Sequence, residues 1–388
     1  MRFLALAGFP LSLVSAGATV SMALVAVFGL ALLWRQRDMP ADLYLAHRMM
    51  FALYLFLLLV DLLNGGGPGK LVATAVNYLP LVALAPYAYA LRRLSFRPGT
   101  LDTTIELTVA LGIVTPALLA IFFAQDRPGG LDMDALSYGI VLIIWTLFVF
   151  SRALDASRGG AIFLLGLAAL SFLTVVSSRT RIVIAGMLLG FLIIAVQWAW
   201  SYRRWRAFVL GLLTAAILGA FLLYNTDTTR LTQLADEMVL FLGAGQMLDG
   251  SIGIRLGQIV AGWQAFLEAP LLGHGLVEMG AAVRAHSPAN GPDISWVILH
   301  NDFISHMVAF GICGLAFLAA YFVVSLVLIS RSGNASNRRA GVALVLIMPV
   351  LMTAYIIFNM SPMTGAVTLA MGVVLSARRQ VPAGPTAP

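Results

Sequence analysis

Three short polar stretches of this chain carry side chains suited to handling a phosphate group and a proton. The first is Ser178-Arg179-Thr180-Arg181, in which two guanidinium groups flank the predicted start of a helix. Free backbone N–H groups and partial positive charge at a helix start, together with two arginines, favour phosphate binding. The alternative is that the hydroxyl residues cap the helix while the arginines contact lipid headgroups.

The second stretch ends at Arg255, which precedes apolar residues at helical spacing. These residues are Leu256, Ile259, Val260, Trp263, Phe266 and Leu267. They predict an amphipathic helix on the membrane surface or on the bundle, with Gln258, Gln264 and Glu268 on its polar face. A cation in the first turn opposes the helix dipole unless an anion lies nearby. Arg255 is therefore predicted to bind an anionic ligand, and pairing with Asp249 or Glu268 is the alternative.

The third stretch is His300-Asn301-Asp302, where the chain is predicted to enter an apolar span. A histidine exchanges a proton near neutral pH, so His300 is a candidate general base that Asn301 or Asp302 could orient. The alternative is a structural histidine hydrogen-bonded at the interface. His274 and His306 are weaker candidates. His300 and His306 are six positions apart, on different helix faces, which argues against a shared metal site.

Composition predicts the elements that must position these residues. With 60% hydrophobic and 11% charged residues and a mean hydropathy of +0.93, the chain is expected to be a polytopic membrane protein. The apolar runs are too long for barrel strands, so the predicted fold is all-α, a bundle of about twelve transmembrane helices. The predicted spans are 3–17, 18–34, 47–63, 71–91, 104–124, 135–151, 160–177, 182–200, 207–224, 301–329, 340–358 and 364–377.

The spans divide the chain into unequal parts. Nine predicted helices occupy 1–224, three occupy 300–380, and 381–388 is a predicted disordered tail. Between them, 225–299 is a long loop with amphipathic helices, and long connections of this kind usually carry function. The first apolar stretch is one span, two spans or a cleaved signal peptide, and Arg2 on the inner side favours two.

Arginine placement predicts the orientation. Seventeen of the 24 lysines and arginines flank one set of short loops, which are expected to be cytoplasmic. The remaining seven are on the other side, so the long loop is predicted to face outward. They are Lys70, Arg127, Arg179, Arg181, Arg230, Arg255 and Arg284. The net charge of +7 is therefore a topology signal and a match to anionic membrane lipids, with no implication of nucleic-acid binding.

Together these stretches resemble the O-antigen ligase and polysaccharide polymerase superfamily of bacterial inner membranes. The matching elements are Ser178-Arg179-Thr180, Arg255 followed by Pro270-Leu271-Leu272-Gly273-His274-Gly275, and His300-Asn301 followed by Gly311-Ile312-Cys313-Gly314-Leu315. Each element alone is a weak signal. Their order and their predicted outward position are fairly specific, over about 177–317.

The resemblance implies transfer of a glycan from an undecaprenyl-diphosphate carrier to an acceptor hydroxyl at the periplasmic membrane face. The acceptor is lipid A-core in a ligase, which we favour, or a growing glycan in a polymerase. Neither a metal nor another cofactor is implied. Arg179 and Arg255 would stabilise the departing diphosphate, and His300 would be the base. The expected substrate-binding residues are Arg181, His274, Asn301 and Asp302.

Two rival functions use other features of the sequence. Asp132-Met133-Asp134 resembles the acidic pair of metal-dependent glycosyltransferases, although we interpret Asp134 as a helix cap. A lipid-linked glycan transporter or flippase would also need many helices. Ion-coupled transporters keep ionisable groups in mid-bilayer, whereas Asp61, Glu106 and Asp302 lie near predicted span ends, which favours surface chemistry.

Overall fold

A computed structural model of the chain describes residues 2–14, 17–36, 39–65, 67–94, 96–123, 129–130, 133–206, 208–209, 251–286, 299–358 and 361–377. Every regular element in these ranges is a helix, which confirms the predicted all-α fold. The helices are α1 (Arg2–Leu11), α2 (Gly17–Gln36), α3 (Ala41–Leu63), α4 (Pro68–Arg93), α5 (Thr100–Phe123), α6 (Ala135–Ala153), α7 (Arg158–Ser177), α8 (Arg181–Tyr202), α9 (Ser251–Glu268), α10 (Met279–Ala285), α11 (Asp302–Ser330), α12 (Ala335–Met352) and α13 (Ser361–Ser376).

Eight of the described helices, α3 to α8, α11 and α12, are long and apolar enough to cross a membrane. Two shorter apolar helices cover Thr19–Arg35 and Met363–Ser376. The number of about twelve spans therefore stays a prediction. Apart from 208–209, the predicted span at 207–224 lies outside the described residues, as do 225–250 and the tail at 381–388. The span predicted at 340–358 ends early, because α12 stops at Met352.

The amino end forms two helices, as the position of Arg2 predicted. Helix α1 ends at Leu11 and α2 begins at Gly17. Arg2 Nε donates a hydrogen bond to Leu94 O, 2.7 Å away, just beyond the end of α4. Since α4 ends in Arg92 and Arg93, the first helix starts at an end of the bundle that is rich in arginine.

We name this the basic end. The carboxyl ends of α4, α6, α11 and α13 and the start of α12 meet there, for example where Ser332 Oγ donates to Val374 O at 2.8 Å. Three arginines at this end pair with carboxylates, Arg92 with Asp42, Arg152 with Glu106 and Arg339 with Asp155. Paired side chains therefore tie the helix ends together at the basic end.

The opposite end is formed by the starts of α4, α6, α8 and α11 and the ends of α3 and α12. Contacts between these helix ends join Asn64 Nδ2 to Leu272 O at 2.6 Å, Asn301 Nδ2 to Thr353 O at 3.2 Å, and Tyr355 OH to Asp134 at 3.1 Å. Lys70, Arg179, Arg181, Arg255 and Arg284, assigned to the outer side by sequence, belong to elements of this end, while Arg127 and Arg230 lie outside the described residues. For the basic residues that the structure describes, the two groups predicted from the sequence lie at different ends of the bundle.

Helix α11 is broken at Gly311, whose φ of 61° and ψ of −147° are not helical. The break was not predicted, since the sequence shows one apolar run over 301–329. The connection after α9 docks into it. His274 N and Gly275 N donate to Val308 O and Ala309 O, and Ile312 N donates to Pro270 O, each at 2.8 Å. The loop thus satisfies the backbone groups that the break leaves free, as irregular backbone within a membrane protein requires.

Candidate active site

The predicted amphipathic helix is α9, and it packs on α11 through small residues. An added Cβ on Gly262 would lie 2.3 Å from Ile304 Cγ2, so the two helices are in close contact. Ala261 and Ala265 on the same face are buried, whereas Trp263 on the other face is 46% exposed. The exposed apolar side chains of α9, Val260, Trp263 and Leu267, therefore point away from the bundle, where they fit a lipid surface.

Gln258 was expected on the solvated face of this helix, and that prediction is wrong. Its side chain is buried, and its Oε1 accepts a hydrogen bond from His300 N at 3.1 Å. The physical reason is that the small residues pack inward, which turns Gln258 towards α11. Their spacing, at Ala261, Gly262 and Ala265, was the available signal for this orientation. Gln258 is thus a positioning residue that the sequence interpretation missed.

Arg255 and His300 come together at the starts of α9 and α11. The His300 side chain is partly buried, and burial lowers the pKa of its imidazole; the neighbouring charge of Arg255 lowers this pKa further, while Asp134 opposes the shift. Nδ1 of His300 is buried and has no hydrogen-bond partner among the residues that the structure describes. Burial and the neighbouring cation therefore favour the neutral imidazole, which is the form that can accept a proton.

The Arg255 guanidinium is partly buried, and burial lowers its pKa. No carboxylate in the described part of the chain forms an ion pair with it, so neither Glu268 nor another described acid is its partner. Glu268 instead lies 3.2 Å from His286 Nε2. A desolvated cation without a counter-charge is unfavourable. The alternative of a surface pair with Glu268 is therefore not what the structure shows, and Asp249, the other alternative partner, lies outside the described residues.

Asp134 forms the helix cap that the sequence predicted. As the N-cap of α6, its Oδ1 accepts hydrogen bonds from Leu136 N at 2.8 Å and Ser137 N at 3.0 Å. Its Oδ2 accepts one from Tyr355 OH at 3.1 Å, and the Ser137 hydroxyl contacts both groups. Burial raises the pKa of Tyr355, so its phenol stays protonated as a donor. No pattern in the sequence indicates that Tyr355 belongs to this cluster.

Asn301 and Asp302, predicted to bind substrate or orient His300, have structural partners. Asn301 caps α11, since its Oδ1 accepts from Ile304 N at 3.0 Å. Asp302 is fully buried, and its Oδ2 accepts from Ile357 N and Phe358 N, each at 2.9 Å. These contacts hold the irregular segment after α12. A role of either residue towards substrate stays a prediction.

His274 likewise has structural contacts. One ring nitrogen, Nε2, lies 2.7 Å from Ala265 O, while the backbone N–H of the residue enters the α11 break. The side chain therefore connects α9 to the loop that docks into α11. Its predicted contact with substrate is untested by this geometry.

Arg179 and Arg181 lie in the tight connection between α7 and α8, and both side chains are exposed. Arg179 adopts a left-handed conformation with φ of 56°, which is uncommon for a residue other than glycine. Thr180 is the N-cap of α8 without a side-chain capping bond; its hydroxyl lies 2.6 Å from Ser178 Oγ. Neither arginine is among the charges that act on His300. The structure brings Arg255 and His300 together and leaves these two nearer the surface.

His306, the remaining candidate, is part of a buried structural cluster. Its ring stacks on Phe317 with centroids 5.8 Å apart, and its Nε2 lies 2.9 Å from Tyr78 OH. Its Nδ1 lies 2.7 Å from Asp302 O. Both ring nitrogens therefore have partners inside the bundle, beneath the break in α11. His306 and His300 do not form a common site.

Comparison with protein families gives one match. Residues 166–319 match the family model described as O-antigen ligase. No curated protein matches the chain significantly. The matched segment includes every predicted catalytic and substrate-binding residue, whereas Asp134 and Tyr355 lie outside it. The match over residues 166–319 supports membership of the O-antigen ligase and polysaccharide polymerase superfamily.

Proposed function

We propose that this protein transfers a glycan from undecaprenyl diphosphate to a hydroxyl of lipid A-core at the periplasmic face of the bacterial inner membrane. Superfamily membership supports a ligase or polymerase type of function in general. The observation that carries the specific proposal is the partly buried Arg255 beside His300, whose pKa it lowers, at the end of the bundle opposite the basic end. By the positive-inside rule, that end faces outward.

Arg255 supplies the charge that this reaction needs. The bond from the anomeric carbon to the carrier phosphate breaks with its electron pair remaining on the phosphate oxygen, so negative charge grows on the diphosphate. A guanidinium that is already desolvated stabilises this charge more strongly than one in bulk water. Bidentate donation also fits phosphate oxygens. Binding the diphosphate would give Arg255 the counter-charge that no described side chain provides.

His300 supplies the base. Its neutral imidazole removes the proton from the acceptor hydroxyl as the oxygen attacks the anomeric carbon, and the imidazolium later releases that proton to solvent. One direct displacement inverts the configuration at the anomeric carbon. Gln258, by accepting from the His300 backbone N–H, fixes the position of this histidine relative to α9. Arg179 and Arg181 are proposed to meet the diphosphate from the α7–α8 connection, while His274, Asn301 and Asp302 shape the binding site.

The exposed apolar side chains of α9 support a lipid-linked donor. Val260, Trp263 and Leu267 are 44%, 46% and 52% exposed on one helix that starts at the arginine. A surface of this kind lies in the interface between lipid and water. The carrier's diphosphate would therefore meet Arg255 at the depth where its prenyl chain enters the bilayer.

The test is transfer by the purified protein in proteoliposomes that contain undecaprenyl-diphosphate-linked glycan and lipid A-core. His300→Ala and Arg255→Ala are expected to lower transfer at least about 100-fold, since each removes a principal catalytic group. His286→Ala and Arg284→Ala are matched controls, because both residues lie on or beside α10 at the same end and have no proposed role. Wild-type transfer by His300→Ala would contradict the proposed mechanism.

Ligase and polymerase differ only in the acceptor, so surface polysaccharide from a deletion strain distinguishes them. Loss of a ligase leaves long carrier-linked chains, whereas loss of a polymerase leaves single repeats attached to lipid A-core. Transfer that survives EDTA would exclude the metal-dependent alternative. Movement of labelled carrier lipid across vesicles without any transfer would instead favour a flippase.

A further inference from the structure

The carboxylate of Asp134 lies near the candidate base but comes from a different part of the chain. Asp134 precedes α6, outside the 166–319 segment that matches the family. Its side chain is exposed at the opposite end, yet four groups hold it in place. They are Leu136 N, Ser137 N, the Ser137 hydroxyl and Tyr355 OH. A carboxylate fixed so firmly keeps a constant position relative to its neighbours.

Hydrogen bonds connect this carboxylate to the start of α11. Asn301, next to His300, donates from Nδ2 to Thr353 O at 3.2 Å. Two residues further on, Tyr355 donates to Asp134 Oδ2 at 3.1 Å. The segment after α12 therefore connects the start of α11, next to His300, to the Asp134 carboxylate. The charge of Asp134 also acts on the imidazole of His300.

The carboxylate and the amide that are closest to His300 in sequence are engaged elsewhere. Asp302 Oδ2 is occupied by two backbone amides inside the bundle, and Asn301 caps α11. Within the described ranges, His300 Nδ1 is buried without a hydrogen-bond partner. Of the described charged groups, Arg255 on α9 and Asp134 before α6 act on this ring, and Tyr355 stays neutral. Asp134 is thus the one described carboxylate that favours the protonated imidazole.

We propose that Asp134 is a positioning residue whose charge stabilises the imidazolium formed when His300 takes the acceptor proton. The inference rests on the proposed function. During the step, the hydroxyl proton moves to His300, the oxygen–carbon bond forms and the carbon–phosphate-oxygen bond breaks. Asp134 neither accepts the proton nor forms a bond. Arg255 keeps the free imidazole neutral, and Asp134 limits that effect so that the base can still be protonated during transfer.

Asp134→Asn tests this role, because asparagine caps a helix as well as aspartate but carries no charge. We expect kcat to fall about tenfold, consistent with losing one supporting charge, with an unchanged KM for the lipid-linked donor. The acid limb of the pH–rate profile should move to lower pH, because the charge that raises the His300 pKa is gone. Asp134→Glu should restore the limb. Glu278→Gln, another carboxylate removed at the same end, should change neither quantity.

A wild-type kcat and pH profile in Asp134→Asn would overturn the inference, as would a lower kcat with an unmoved acid limb, since the residue would then be only a cap. Asp134→Ser, also a good cap, repeats the test if the asparagine variant does not fold. The proposed function has its own outcome. It fails if His300→Ala is active, whereas an inactive His300→Ala beside a normal Asp134→Asn removes the Asp134 role alone.

Discussion

Arginines at the two ends of the bundle are used differently. At the basic end, the side chains of Arg92, Arg152 and Arg339 are 8%, 23% and 5% exposed, and each has a carboxylate partner. At the opposite end, Arg255 is also partly buried, but no described carboxylate pairs with it. Removing a cation from water is costly unless a counter-charge compensates it. The arginines at the basic end therefore have counter-charges within the protein, whereas Arg255 has none among the described residues and is available to an external anion.

Neutralising one arginine at each end tests whether the two groups of arginines have different roles. Arg255→Gln should lower transfer by about 1,000-fold, because it removes the charge opposite the departing diphosphate. Its thermal stability should be unchanged or higher, since an uncompensated desolvated cation is gone. Arg339→Gln should lower stability by about 3 kcal/mol, because it leaves Asp155 and the Ser151 carbonyl without their partner. Its transfer per folded molecule should be normal.

Melting temperature in detergent and the initial rate in proteoliposomes measure the two effects separately. A large stability loss in Arg255→Gln would show that Arg255 has a structural role like that of the arginines at the basic end. A catalytic loss in folded Arg339→Gln would also remove the distinction.

The break in α11 at Gly311 is a second feature that can be tested, by Gly311→Ala. The φ of 61° disfavours any side chain there, and an added Cβ would lie 2.5 Å from the carbonyl carbon and oxygen of Leu271. We expect a stability loss of at least about 3 kcal/mol, since the loop after α9 must leave the break and strand backbone groups. Gly166→Ala is the control, because a Cβ added to that helical glycine would have no described atom of another element within 4 Å. A tolerated Gly311→Ala would mean that α11 can straighten without loss.

Some of the features that these variants test can be predicted from the sequence, and others cannot. The all-α fold and the separation of the arginines follow from hydropathy and loop charge, which are properties of short stretches of the sequence. The Gly311 break has no hydropathy signal, because it is stabilised by bonds to a loop about forty residues earlier. Gln258 was assigned to the polar face of α9, but α9 packs on α11 through the small residues Ala261, Gly262 and Ala265, which bury Gln258 with them. Tyr355 reaches Asp134 across more than 200 positions, and no local pattern encodes such a contact.

The pH dependence of transfer reports how Arg255 affects the pKa of His300. Because burial and Arg255 both lower the His300 pKa, the neutral base should persist below the ordinary histidine value of 6.5. Transfer, measured as kcat/KM, should therefore hold as pH falls through 6.5 and decline only below it. In Arg255→Gln the pKa should be higher, as ¹⁵N NMR of the imidazole can show without any turnover. An unchanged His300 titration in that variant would mean that the guanidinium exerts no field on the ring.

The smallest expected effect separates two arginines that share a backbone conformation. Arg179 at the opposite end and Arg203 at the basic end are both left-handed, with φ of 56° and 53°. Glycine relieves that strain, so Arg179→Gly and Arg203→Gly should each change stability by no more than about 1 kcal/mol. Only Arg179→Gly should slow transfer, by about tenfold, because an exposed guanidinium assists the diphosphate less than Arg255 does. Equal rates in both variants would assign Arg179 to lipid headgroups and leave Arg255 as the principal cation of the site.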